Sequence, residues 1–585
     1  MNRWKFALPS VAMAFLIACG AQPSQISSPA PTTVQPTVVP TTVPDVLSEN
    51  QEPHVDLATE TPVEVLPEIT LNGSTISTNS DAVRIDGTIA TITKAGAYRV
   101  RGSLEDGQIL VDTKDKDAVQ ITLDGVTIHN SQGSPLAVWD AEQVLLVLAE
   151  GSENQLSDTP NYVFAAGEDE PNATLFSKAD LSISGTGSLS IEANYNDGIG
   201  AKDGLVIHNG NFSINAVDDA IRGKDYIKIE DGTFAIVAGG DALKSDNDED
   251  PERGYIAIEN GRFTIEAGSD GISAETDVAI ANGSFQITAG GGSGQFVGDT
   301  SLKAIKAAVS ITIDNGEFVL NSADDALHSN ERITINGGSF DISTGDDAIH
   351  ADTELTINDG RIAINESYEA IESITINING GEIHAKSRDD ALNAAGGDAG
   401  AARPRPGRGG EFYLNINGGY IVLNSEGDGI DSNGFVTMTN GTVIVNGPVQ
   451  RMNSALDYDG EFVISGGTLV ALGSSGMAQA PGNKSGQNSV MVVFETTQAA
   501  GSLVNIQTRN GESLMTFEAQ KDFSAVVYSS PNLAHGDYAF YIGGSAQGSQ
   551  QDGLYLDGSY TPGTKHADFT VNSPVTTIGN VRRMW

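Results

Sequence analysis

Asp324-Asp325 and Asp346-Asp347 open two segments, "DDALHSNERITINGG" and "DDAIHADTELTINDG", that begin 22 residues apart. The second acidic residue of this motif recurs along the chain at Asp197, Asp219, Asp241, Asp270, Asp325, Asp347, Glu369, Asp390 and Asp428, with Lys303 in the same place between Asp270 and Asp325. Six of the nine steps are 21 or 22 residues, and the longer ones carry insertions such as "SDNDEDPERGY" and "GGDAGAARPRPGRGGEF". Carboxylates stacked on neighbouring strands lie about 4.8 Å apart. At that distance they repel by about 0.9 kcal/mol in water and about 3.5 kcal/mol at an effective dielectric of 20. Hard divalent cations with oxygen ligands offset such repulsion, and calcium accepts irregular carboxylate-rich sites. The metal-ligand candidates are Asp218, Asp219, Asp241, Asp324, Asp325, Asp346, Asp347, Asp389 and Asp390. The acidic run Asp246 to Asp250 is a separate candidate without EF-hand spacing. Each Asp is equally suited to accept backbone N–H bonds at a turn with no metal. We expect both roles, one Asp of a pair pinning the turn and the other facing a cation.

Three residues after each acidic position stands a polar column: Arg222, Lys244, Lys306, His328, His350, Glu372, Asn393 and Asp431. The apolar residue before each points inward, so this column is expected on the solvated surface, with His328 and His350 stacked on adjacent repeats. In "SLKAIKA" Lys303 occupies the acidic column and Lys306 the polar one. A lysine beside calcium and carboxylates can abstract a proton next to a uronate carboxylate, or it can serve as a counter-ion to its acidic neighbours. Arg403, Arg405 and Arg408 gather in one insertion, "ARPRPGRGG". Their guanidinium groups suit bidentate contacts to the carboxylates of a substrate; the segment also reads as an exposed loop. Sequence places no carboxylate pair at glycosidase spacing, so it gives hydrolysis no support.

A repeat of this length needs elements that bring one position back to the same place. Between the acidic motifs lie alternating runs such as "ITIDNGEFVLNS", punctuated by Asn209-Gly210, Asp231-Gly232, Asn282-Gly283, Asn315-Gly316 and Asn440-Gly441. Apolar residues at every second position fit strands with one buried face. The period with its Gly turns reads as an all-β solenoid, a parallel β-helix whose coils are about 22 residues long. Asn at the turns suits left-handed backbone and side-chain ladders. Early coils are expected over 69–180, Asp-motif coils over 181–472, with the β-helix ending near 486, and a small C-terminal β cap with a weakly β tail over 487–585.

Composition agrees. The 585 residues carry 77 Asp and Glu against 32 Lys and Arg, a formal net charge of −45. That balance argues against nucleic acid or an anionic membrane surface as partner. Gly at 67 and aromatics at 6% suit short strands joined by tight turns. Cys19 stands alone, which excludes an intramolecular disulfide. It ends a basic start, "MNRWK", and an apolar stretch too short for an ordinary membrane span. "LIAC" resembles a bacterial lipobox, which predicts a lipoprotein signal peptide over 1–19 and lipidation of Cys19. The Pro/Thr/Ser-rich stretch over 20–68 reads as a solvated tether. A monomer is expected, held on the extracellular face through the lipid anchor alone.

The ordered series "DDALHSNERITINGG", "DDAIHADTELTINDG", "SYEAIESITININGG", "DDALNAAGG" and "GDGIDSNGFVTMTNGTVIVNGP", with "SLKAIKA" in mid-array, resembles the bacterial secreted carbohydrate-binding β-helix proteins from about Asp180 to Gly544. The resemblance implies a right-handed parallel β-helix, bound calcium at the Asp pairs, and binding of plant-wall polysaccharide, with polygalacturonate and cellulose as ligand types. That fold is similar to the fold of pectate lyases, which makes a polysaccharide lyase with Lys303 or Lys306 as base the alternative function and a structural surface stalk the third. The motif departs from the family at Leu302-Lys303 and Tyr368-Glu369, where a metal column would be interrupted.

Overall fold

The computed structural model describes residues 41–50, 66–164, 167–296, 298, 300–396 and 410–580. These residues are almost wholly β, in one 46-stranded sheet and one six-stranded sheet. Cys19, Arg403, Arg405 and Arg408 lie outside the described residues.

Most of the large sheet is three parallel ladders, and the chain visits them in turn. One runs through Ser188–Ala193, Asn211–Ala216, Thr233–Ala238, Arg262–Ala267 and Ser284–Ala289, strand on strand. A second runs through Asp197–Ala201, Ile221–Gly223, Leu243–Ser245, Ile272–Ala274, Ile305–Ala307 and Leu327–Ser329. The third joins Gly204–Ile207, Tyr226–Ile229, Tyr255–Ile258, Asp277–Ile280 and Ser310–Ile313. The region before Asp180 feeds the same ladders: Val119–His129 is long enough to pair with Gln143–Leu148 along one half and Glu153–Ser157 along the other.

Register is set by identical residues meeting on adjacent strands. Phe212, Phe234, Phe263, Phe285, Phe318 and Phe340 form a buried stack with centroids 4.9, 4.7, 4.8, 4.8 and 4.6 Å apart, the spacing of neighbouring strands. A slip by one residue would turn every ring out to solvent. The stack also explains the glycines two residues earlier. Gly210, Gly232, Gly261, Gly283 and Gly316 have φ between 136° and 144°, and a Cβ there would sit 2.8 to 2.9 Å from a ring carbon of the Phe. Glycine alone takes the left-handed conformation at these turns; among the described residues Asp552 is the one other residue type with positive φ. The Asn residues do not share that conformation, but they form the expected side-chain ladder: Asn358 Nδ2 donates to Asn336 Oδ1 at 2.7 Å, and Asn379 Nδ2 to Asn358 Oδ1 at 2.8 Å.

Two segments differ from expectation. The Pro-rich stretch read as a free tether contains a short helix, Val43–Leu47, whose Val43 and Val46 pack on Ala279. Two apolar residues three apart on a helix share a face, and here that face is covered. The C-terminal region does more than cover an end. Phe523–Ser529 pairs antiparallel with Thr468–Gly473 and Ser489–Gln498, extending the large sheet. Its six-stranded sheet packs Phe517 and Phe540 against Val422, Ile444, Val470 and Leu472 of the large sheet. The tail read as weakly β holds Ser559–Val571, paired along Gly536–Gln547.

Candidate functional site

The acidic column stands at the entry to the second ladder and is buried: Asp197 is 1%, Asp219 2%, Asp270 2% and Asp325 4% exposed. Each carboxylate has two employments. One oxygen reaches to the next repeat. Asp219 Oδ1 accepts the backbone N–H of Asp241 at 2.9 Å, Asp241 that of Asp270 at 2.9 Å, Asp270 that of Lys303 at 2.8 Å, Asp325 that of Asp347 at 3.0 Å, and Asp347 that of Glu369 at 2.9 Å. The acid thus pins the neighbouring repeat rather than its own turn, which is why the motif must recur in register.

The second oxygen meets the polar column, and here the expectation of a solvated surface is corrected. Lys244 Nζ lies 3.2 Å from Asp219 Oδ2 and 3.0 Å from Asp241 Oδ2. Lys306 Nζ is 3.6 Å from Asp270, His328 Nδ1 2.8 Å from Asp325, and His350 Nδ1 3.3 Å from Asp347. These bases stack strand on strand, Lys306 beside His328 beside His350, with the two imidazole centroids 5.1 Å apart. The lysines and His350 are counter-ions built into the protein. Burial works against the charge on His350, but Asp347, Asp325 and Glu372 outweigh it and raise its pKa to about 10.

Lys303 has the same role from the opposite column. Its Nζ bonds Asp324 Oδ2 and lies 3.3 Å from Asp325 Oδ2. Burial opposes its charge, yet these two carboxylates hold its pKa above the ordinary lysine value. A proton-abstracting base must be neutral near the working pH, and Lys303 is held in the opposite state.

Glu372 still meets His350, 3.6 Å away, and beyond that contact the compensation stops. The polar column continues in register as Glu372, Asn393 and Asp431. Burial and close acidic neighbours push Glu369 and Glu372 up. Burial pushes Asp428 to about 8, helped by Asp390 and Asp457 and opposed by the Ser454 backbone N–H. Burial, Asp390 and Asp457 take Asp431 to about 7. One carboxylate oxygen each from Asp428, Asp431 and Asp457 lies within 4.8 Å of the other two. Asn393, beside Asp431 in register, is 6% exposed; its Nδ2 donates to Glu369, while its Oδ1 has no hydrogen-bond partner.

Of the sequence-predicted ligands, Asp324, Asp325 and Asp346 come together, as do Asp218 and Asp219 with Asp197. Asp218 and Asp346 are exposed. Asp389 and Asp390 adjoin the Asp428 group, since Asp390 Oδ1 accepts the Asp428 N–H at 2.5 Å. Asp428, Asp431 and Asp457 were missed as a set. The insertion before Ser454 breaks the period, but "SALD" repeats the "DGID" of 428–431, and Leu456 bridges Ile430.

Residues 86–348 match the family model described as "Carbohydrate-binding domain-containing protein". A carbohydrate-binding domain-containing protein of Acetivibrio thermocellus is 39% identical over 139 residues, 24% of this chain and 49% of the relative. The chain thus spans about half the length of that curated relative. A solved structure titled "Structure of the polysaccharide lyase-like protein from C. thermocellum, Gadolinium derivative" is 34% identical, covering 39% of this chain and 92% of that one with a TM-score of 0.38. The matched family region holds the column from Asp197 to Asp347; His350 and the Asp428 group lie beyond it.

Proposed function

We propose that this protein binds acidic plant-wall polysaccharide without cleaving it, through calcium held at Asp428, Asp431 and Asp457. The three ladders wind as a right-handed parallel β-helix, the hand that connections between parallel strands take in nearly all proteins. The observation that carries the calcium reading is the group of part-buried carboxylates with no basic partner among the described residues. Asn393 Oδ1, an orphaned buried acceptor beside Asp431, adds a neutral oxygen donor. An all-oxygen donor set of this kind fits calcium. Bound there, calcium supplies positive charge and leaves coordination positions to ligand carboxylates. A protein at −45 otherwise repels a polyuronate. At Asp219, Asp241, Asp324, Asp325 and Asp347 calcium must compete with Lys244, Lys303 and His350, so those sites rank behind. Lys306 is likewise a counter-ion, paired with Asp270. Cellulose is a further ligand in this reading. The chain is a lipoprotein anchored through Cys19 on the outer face of its membrane.

The test is a pull-down on polygalacturonate and on a neutral glucan, in calcium and in chelator. Binding to polygalacturonate rises with calcium and is lost in Asp428→Asn/Asp431→Asn, while the neutral polymer is indifferent to both. Equal binding to polygalacturonate in chelator overturns the bridging reading. Release of unsaturated, ultraviolet-absorbing ends from polygalacturonate overturns the non-catalytic one.

A further inference from the structure

Where the six-stranded sheet meets the large sheet, a cleft of about 290 Å³ opens over the first ladder. Its floor is the outward face of the first ladder. His384 pairs with Val422, and Lys386 with Asn424, which in turn pairs with Asn446. One row is therefore an ammonium and two amides on three successive strands. Gln520 and Asp552 close the cleft from the C-terminal region. Asp552 is fixed there by two donors on the large sheet, His384 Nε2 at 3.2 Å and the Tyr420 hydroxyl at 2.9 Å. Lys521 fastens the same junction by donating to the Ser425 carbonyl at 2.6 Å. The walls are thus held in place before any ligand arrives.

Two groups in this cleft lack a partner that the fold would normally give them. Asn446 is 4% exposed, and its Oδ1 has no hydrogen bond. Its ladder neighbour Leu472 and its strand neighbour Ile444 are apolar residues that support the interface. Buried acceptors are almost always satisfied, so an orphan lining a cavity points to a bond made with something that enters it. Lys386 is exposed and has no ion pair among the described residues, although carboxylates outnumber cations by 77 to 32 in this chain.

We propose that this cleft is a second saccharide site, which takes a single uronate unit independently of calcium. Lys386 meets the sugar carboxylate, Asn424 and Asn446 meet ring hydroxyls, and Val422 offers an apolar contact to the ring. The volume lies at the lower end of ligand clefts, about 300 Å³, and suits one ring or a chain end rather than the middle of a polymer. The inference rests on the carbohydrate-binding reading but not on the calcium site.

The experiment is saturation-transfer NMR on the full chain in chelator, with galacturonate and with galactose as probes. Transfer to galacturonate is expected, at least fivefold weaker in Lys386→Ala and absent in Asn446→Leu. Asn446→Leu should melt at the same temperature as the parent or higher, because it removes an unsatisfied acceptor. Asp428→Asn/Asp431→Asn should leave the transfer unchanged, which separates this cleft from the calcium site. No transfer to either sugar, or transfer to galacturonate that persists in Asn446→Leu, overturns the site. Equal transfer to galactose, unaffected by Lys386→Ala, overturns the uronate assignment.

Discussion

The acidic column is one structural device used in two electrostatic settings. From Asp197 to His350 the outer oxygens face Arg222, Lys244, Lys306, His328 and His350, and Lys303 neutralises Asp324 and Asp325. From Glu369 to Asp457 the same backbone bonds persist, as Asp390 to Asp428 and Asp428 to Ser454 show, but the polar column turns acidic. A buried ion pair stabilises little on balance, whereas removing one partner costs a great deal. The first region therefore gives most of its acids a built-in base, as part of the scaffold, and Asp197 is its exception. The second holds charge that folding alone leaves uncompensated, and that is where an external cation gains most.

The largest expected effect breaks the first region. Lys303→Met leaves the buried Asp324 without a basic partner and Asp325 with His328 alone, and should cost about 3–5 kcal/mol. Asp324→Asn/Asp325→Asn in the Lys303→Met background should restore most of the loss. Urea denaturation of the soluble chain measures both. If Lys303→Met melts like the parent, the counter-ion assignment fails.

The second prediction reverses the sign in the second region. In chelator at pH 8, Asp428→Asn should stabilise by about 1–3 kcal/mol, since the amide oxygen still accepts the Ser454 N–H while a repelling charge is gone. Calcium at 100 times its Kd should stabilise the parent by about 2.7 kcal/mol and the variant far less. Thermal melts with and without calcium separate the two. Destabilisation by Asp428→Asn would show that its charge is already compensated.

The third uses pH. Asp428 and Asp431 have folded pKa values of about 8 and about 7, above the ordinary value of about 3.9. A raised folded pKa means stability that is fully present below the unfolded value and lost as pH rises through the folded one. Calcium-free protein should therefore lose stability between about pH 4 and pH 8 through these groups. His350, raised to about 10 from 6.5, adds a loss between about pH 6.5 and pH 10. Calcium should flatten the first loss and leave the second, and His350→Gln should remove only the second. Melting temperatures across this range provide the measurement, and a calcium-independent profile would erase the contrast between the regions.

How much of this was legible in the sequence follows from how far each cause reaches. The period, the alternation and the acidic register are local, so the parallel strands and the Asp columns could be read directly. The base column was visible as residues but not as counter-ions, because whether a side chain three positions on turns back to the acid depends on backbone direction. Asp457 was hidden by an insertion that broke the period. The cleft was out of reach, since His384 and Asp552 are 168 residues apart and meet only when the C-terminal sheet docks. The Val43–Leu47 helix was masked by the prolines around it, which dominate composition while two valines determine packing.

The smallest expected effect sharpens the comparison within one motif. Asp218 and Asp219 are adjacent and chemically identical, yet Asp218 is exposed and Asp219 is 2% exposed. Asp219 accepts the Asp241 N–H and faces Lys244. Asp219→Asn keeps the first contact through its amide oxygen and loses the second, so it should cost about 1–2 kcal/mol. Asp218→Asn loses only a solvated charge near Asp197 and Asp219, and should fall within about 0.5 kcal/mol of the parent. The direction for Asp218→Asn should be slightly favourable, since burial and the charges of Asp219 and Asp218 already push Asp197 up to about 7. Paired urea melts of the two variants measure the difference. Equal costs would mean that stacking in the column, rather than burial and pairing, determines what each aspartate contributes.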